Sequence, residues 1–166
     1  MKGLALAIAG VCTLTAHTAA AQTTTVEDVR VHLFYERSGK LSEDITKRQE
    51  IALLNTTIGG GDVEEPADSF LVAAVLHGKP KGFDGATSLT ITVTTDNKRK
   101  MKIAERTFSG GILFGPEGQV VKAMMVHNRV CLPLVVTAKL KSGSSKTFNL
   151  PFRCGEQASP SPQASQ

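Results

Sequence analysis

Four carboxylates, two cysteines and three histidines are the residues of this chain whose types and spacing could do chemistry. Asp62, Glu64, Glu65 and Asp68 fall together, directly after Gly59-Gly60-Gly61. Oxygen ligands on a flexible loop suit Ca²⁺, a hard cation that takes about six to eight oxygens, so the four are the candidate calcium ligands. The D-x-D-x-D-G spacing of a known calcium loop is missing. A solvated acidic loop, which keeps the following apolar strand from pairing wrongly, fits the same residues. No other cofactor is implied.

His32, His77 and His127 are far apart in sequence, and a metal or catalytic site would need at least two to converge. Met124-Met125-Val126-His127 combines thioether and imidazole, which suit Cu(I), but a strand puts only Met125 and His127 on one face. Methionine is also a common core filler. No serine sits in a Gly-x-Ser-x-Gly elbow. Gly59-Gly60-Gly61 lacks the Lys-Ser/Thr of a phosphate loop. No catalytic residue is assigned.

Export gives the cysteines their meaning. Met1-Lys2, an apolar run from Leu4 to Leu14 and Ala19-Ala20-Ala21 form a signal peptide over residues 1–21, with cleavage before Gln22. The run is shorter than the roughly 20 residues that span a bilayer. Cleavage removes Lys2, Cys12 and His17, so 18 of the 19 basic side chains remain against 15 acidic ones, a net charge of +3. That balance is too mild for nucleic acid. One tyrosine and no tryptophan leave few platforms for stacking bases or sugars.

Cys131 and Cys154 remain, an even number in an exported chain, where a disulfide is the default. With Ser142-Gly143 as a two-residue hairpin turn, facing residues have numbers adding to 285, as 131 and 154 do. The two cysteines would then oppose each other across a hairpin.

The elements that must position these groups read as strands. Val29, Val31, Leu33 and Tyr35 alternate onto one face, and Ser69–Leu76 is continuously apolar, as in a strand buried on both faces. Leu89, Ile91 and Val93 alternate with threonines; Asp96-Asn97 turns the chain into Lys98–Phe108, with Met101 and Ile103 inward. Gly115–Gly118 is a turn before the strand Gln119–His127, and Ser109-Gly110-Gly111 is another turn. Only Ser42–Asn55 has a helical pattern.

The expectation is an all-β fold, a single antiparallel β-sandwich of about eight or nine strands over 28–154. Residues 22–27 are expected to be loose, and the Pro/Ser/Gln tail 155–166 to be disordered. The pattern is similar to the immunoglobulin-like and C2-like sandwiches of exported proteins, a likeness of fold that carries no function. The Cys…Trp…Cys arrangement of true immunoglobulin domains is missing.

The function expected is an exported, non-catalytic binding or structural module in the bacterial periplasm or outside the cell, not membrane-spanning. Its partner would be another envelope or extracellular protein, or an anionic surface met by Lys98-Arg99-Lys100. The competing reading is a metal-dependent or covalent hydrolase assembled from separated loops. A deep pocket lined by the histidines and the acidic loop would favour the hydrolase; flat loops and a filled core would favour the module.

Overall fold

The computed structural model describes residues 23–48, 53, 56, 59–127 and 132–152. The signal peptide, the tail, Cys131, Cys154 and much of Ser42–Asn55 lie outside them. No helix among the described residues is long and apolar enough to cross a membrane.

The fold is all-β, with several antiparallel sheets. The strands are β1 (Thr25–Tyr35), β2 (Lys40–Leu41), β3 (Ser69–His77), β4 (Phe83–Asp84), β5 (Leu89–Thr95), β6 (Lys102–Phe108), β7 (Ile112–Leu113), β8 (Gln119–His127), β9 (Leu134–Leu140) and β10 (Ser145–Leu150). One four-stranded sheet has the order β2-β1-β3-β8 and another β10-β9-β5-β6; β4 pairs β7. Among the described residues of 42–55 there is a 3₁₀ turn, Ile45–Lys47, capped by Asp44, whose Oδ1 accepts from Thr46 N–H at 3.1 Å.

Alternation decides which side chains face inward. Val29, Val31, Leu33 and Tyr35 are all buried, as are Leu89, Ile91 and Val93. They meet Leu134, Val136, Ala138 and Leu140 of β9 in one hydrophobic cluster fed by both four-stranded sheets. Each fully buried aliphatic side chain there stabilises by about 1.5–3 kcal/mol. Strand β3, between β1 and β8 in its sheet, is buried on both faces except at Leu71 and His77. The outer face of β5, β6, β9 and β10 is polar, with Thr90 bonded to Thr107 at 3.1 Å and Thr137 to Thr147 at 3.2 Å.

Residues 69–127 form one long antiparallel hairpin that crosses from the first sheet to the second. Ser69 faces His127, and Phe83 faces Leu113 fourteen residues further along each strand, so the register passes unshifted from β3·β8 into β4·β7. Gly78 N–H to Gly118 C=O (2.8 Å), Lys81 N–H to Gly115 C=O (2.9 Å) and Phe114 N–H to Gly82 C=O (2.9 Å) lace the stretch between. From Asp84↔Ile112 to Leu89↔Phe108 one strand then advances five residues and the other four. One extra residue turns a corner between sheets, as a bulge does.

Three expectations shift by a residue or more. Strand β1 begins at Thr25, inside the stretch expected to be loose, because Val26 extends the buried face across an irregularity between Val26 and Asp28. The β9–β10 turn has three residues, Lys141–Gly143, closed by Leu140 N–H to Ser144 C=O at 2.8 Å, with Gly143 at φ +105°. A three-residue loop with glycine at the left-handed position is a standard hairpin closure. Ser145 therefore faces Lys139, one residue away from the register that opposed Cys131 to Cys154.

Met101, expected inward, is exposed. The register slips between Val93 and Thr94, and β6 starts only at Lys102. Edge strand β6 carries Lys102, Glu105 and Arg106, charges that discourage edge-to-edge pairing. A hydrogen bond from Lys102 Nζ, 2.8 Å away, holds the Glu105 carboxyl below the usual carboxylate range. Its small contribution is in place above that range and fades as the pH falls through the lowered value.

Candidate functional site

The acidic loop does not gather its carboxylates. Asp62 and Glu64 are exposed, Glu65 and Asp68 half-buried. The loop is tied down through its backbone, with Ala67 N–H to Thr56 C=O at 2.8 Å and Glu64 N–H to the Tyr35 hydroxyl at 3.4 Å. Glu65 Oε2 is buried without a hydrogen bond. Among the described residues no three His, Cys, Asp or Glu side chains are close enough together to hold a metal ion.

Asp68 instead joins a relay that sequence reasoning missed. Ser69 Oγ donates to Asp68 Oδ1 at 3.1 Å and lies 2.7 Å from His127 Nδ1. A carboxylate only accepts, and a hydroxyl has one proton. The serine proton therefore goes to Asp68, and His127 must donate through Nδ1–H. This wiring is the reverse of a nucleophile–base pair, where the imidazole nitrogen takes the serine proton. Ser69 is 2% exposed, so no substrate carbonyl reaches its oxygen in this arrangement. The relay clamps the start of β3 to the end of β8. The pairing joins residues 58 apart in sequence, and no local pattern signals it.

The other histidines stand apart. His32 lies on β1, where Nδ1–H donates to Ser42 C=O at 2.9 Å. His77 ends β3 at the opposite end from Ser69. Three surface depressions of about 450–470 Å³ are lined by none of the histidines and none of the four loop carboxylates.

The corner at β4·β7 has a different character. Phe83 and Leu113 oppose each other across the two strands, hence project on the same side, and are 65% and 66% exposed. They are the most exposed large apolar side chains among the described residues. Their neighbours Ile112 and Phe114 turn inward and are buried. A Cβ at Gly111 would lie 2.5 Å from the Phe83 ring, and one at Gly85 2.9 Å from it. The exposed ring thus rests against two glycines where any side chain would collide with it.

No family model matches this chain, and no curated protein matches it in sequence. The site therefore rests on geometry alone. Asp84 fixes the corner from below: Oδ2 accepts from Thr24 Oγ1 at 2.6 Å, and Oδ1 from the N–H groups of Ala86 and Thr87, each at 3.2 Å. One depression lies alongside, lined by Thr24, Lys79, Phe83, Asp84 and Phe114 among others. The signal in the sequence is glycine density beside phenylalanine: Gly78, Gly82 and Gly85 around Phe83, and Gly110, Gly111, Gly115 and Gly118 around Phe114. Three of these glycines are here the seats of aromatic rings: Gly78 for Phe114, and Gly85 and Gly111 for Phe83.

Proposed function

We propose that the protein is an exported β-sandwich that binds rather than catalyses, in the bacterial periplasm or outside the cell, with the Phe83–Leu113 corner as its contact surface for another envelope or extracellular protein. The observation that carries the reading is this pair of adjacent, exposed apolar side chains on a backbone laced in place before any partner arrives. Leaving both in water is unfavourable, and a preorganised surface loses little entropy on binding. Two four-stranded sheets sharing one core support the sandwich. Lys2, the Leu4–Leu14 run and Ala19-Ala20-Ala21 support export. The even cysteine count in that compartment supports a Cys131–Cys154 bridge, now without help from strand register.

The test is affinity capture of the tagged mature protein from its own periplasm, with Phe83→Ser/Leu113→Ser beside it. The expected result is a component recovered by the wild-type protein and lost from the double variant, which melts at the same temperature. Equal capture by both proteins would overturn the corner as the contact surface. Intact mass beginning at Gln22, and the two cysteine peptides joined in a map made without reductant, are expected of the same material. Retention of Met1 on the captured protein would overturn export.

A further inference from the structure

We infer that the hairpin tip between β5 and β6 is a docking point for an anionic lipid bilayer. Three independent features meet there. First, Lys98, Arg99 and Lys100 are all exposed and consecutive, and Lys102 follows on the same tip. Asp96 and the carboxylate of Glu105, already bonded to Lys102, are the acids near them. This density of positive charge has no equal elsewhere in the chain. Clusters of about four or more Lys and Arg at one surface point are attracted to anionic headgroups.

Second, the tip is locked rather than loose. Asn97 Oδ1 accepts from Arg99 N–H at 3.1 Å, Lys100 N–H at 3.0 Å and Thr95 Oγ1 at 2.9 Å. Met101 closes the turn from the other side, its N–H donating to Thr95 Oγ1 and its C=O accepting from Thr95 N–H, both at 2.9 Å. The backbone that carries the cations is therefore held in place.

Third, the apolar side chain at the tip faces the wrong way for a core. Met101 is 47% exposed, between Lys100 and Lys102. Lys100 sits at φ +44°, a left-handed conformation that costs a non-glycine residue stability. That conformation sits in the turn that carries Met101 outward. An unbranched thioether flanked by long cationic stems is the side-chain set of an interfacial anchor, with the apolar end reaching the acyl boundary and the ammonium groups staying at the phosphates.

The methionine decides between possible anionic surfaces. A hydrophilic polymer would be met by the cations alone, and an exposed Met101 would gain nothing from it. A lipid surface rewards both. The tip lies at the far end of β5 from the Phe83–Leu113 corner, so the two surfaces can be engaged separately, and this inference does not depend on the corner's partner.

The experiment is co-sedimentation of the mature protein with vesicles of phosphatidylcholine carrying roughly one-third phosphatidylglycerol, against pure phosphatidylcholine. Binding is expected only with the anionic vesicles, weaker than the roughly 10⁴ M⁻¹ of a single myristoyl anchor, and falling steeply as salt is raised. Lys98→Gln/Arg99→Gln/Lys100→Gln should lower the partition constant about a hundredfold, and Met101→Ser about threefold to tenfold, with unchanged melting temperatures. Phe83→Ser/Leu113→Ser should leave it unchanged. Absence of binding to anionic vesicles at low salt would overturn the inference. So would a Met101→Ser variant that binds like wild type while the triple variant does not, since a contact made by charge alone would serve any anionic surface.

Discussion

Gly118→Val is expected to cost this fold about 3–6 kcal/mol, a large share of the roughly 5–15 kcal/mol that holds a domain of this size. Gly118 stands at φ +74°, and a Cβ there would lie 2.5 Å from the carbonyl oxygen of Gly78, with Pro80 ring atoms at 3.3 Å. Gly78 N–H donates to Gly118 C=O at 2.8 Å, and Gly118 N–H bonds back to Gly115 C=O at 3.0 Å. A β-branched residue adds three costs at one point. The left-handed conformation costs about 1–2 kcal/mol. Overpacking against backbone that cannot swing away costs about 1–3 kcal/mol. A weakened hydrogen bond adds about 1 kcal/mol. Urea unfolding should show the midpoint displaced with the slope unchanged.

Gly143→Ala supplies the comparison. Gly143 is also left-handed, at φ +105°, but nothing lies within 4 Å of its Cβ position, so only the conformational cost of about 1 kcal/mol applies. If Gly118→Val unfolds at the same urea concentration as Gly143→Ala, the close backbone approach at the head of the corner is wrong.

The strands were legible because their signal is local. Leu89, Ile91 and Val93 alternate with threonines, and the structure buries all three. The apolar run Ser69–Leu76 is buried on both faces save at Leu71, as its composition leads one to expect. Single-residue offsets were not legible. Ser142-Gly143 suits both a two-residue and a three-residue turn, and only Leu140 N–H to Ser144 C=O distinguishes them. Met101 misled for the same reason, since the irregularity between Val93 and Thr94 has no residue signature.

Nor could the candidate site be read from spacing. The four carboxylates at 62–68 are adjacent in sequence yet do not converge, whereas Asp68, Ser69 and His127 do. The corner needed both strands of a hairpin known before Gly85 and Gly111 could be seen under one ring. Sequence proximity reports shared loops; it says little about which loops share a place.

Phenylalanine separates the two roles most sharply, and Phe70→Ala is expected to be the most damaging truncation of the pair it forms with Phe83→Ser. Phe70 is 2% exposed on the central strand β3, between Leu33 of β1 and Val126 of β8. Its ring lies 5.9 Å from that of Phe152, tilted by 41°, and so fastens the segment after β10 to the first sheet. Truncation removes the buried ring and leaves a cavity that rigid strands on both sides cannot close, which costs about 3–5 kcal/mol. For a domain of this length the melting temperature should fall by roughly 10–20 °C. Phe83→Ser removes the same ring from a position two-thirds in water, so its melting temperature should stay within about 2 °C of wild type. Hydrogen exchange gives a finer reading: Phe70→Ala should raise exchange in β3 and in β10, the strand that leads into Phe152, and Phe83→Ser in neither. A Phe70→Ala protein that melts alongside Phe83→Ser would mean that the ring does not hold the core, and that the two sheets are not joined through it.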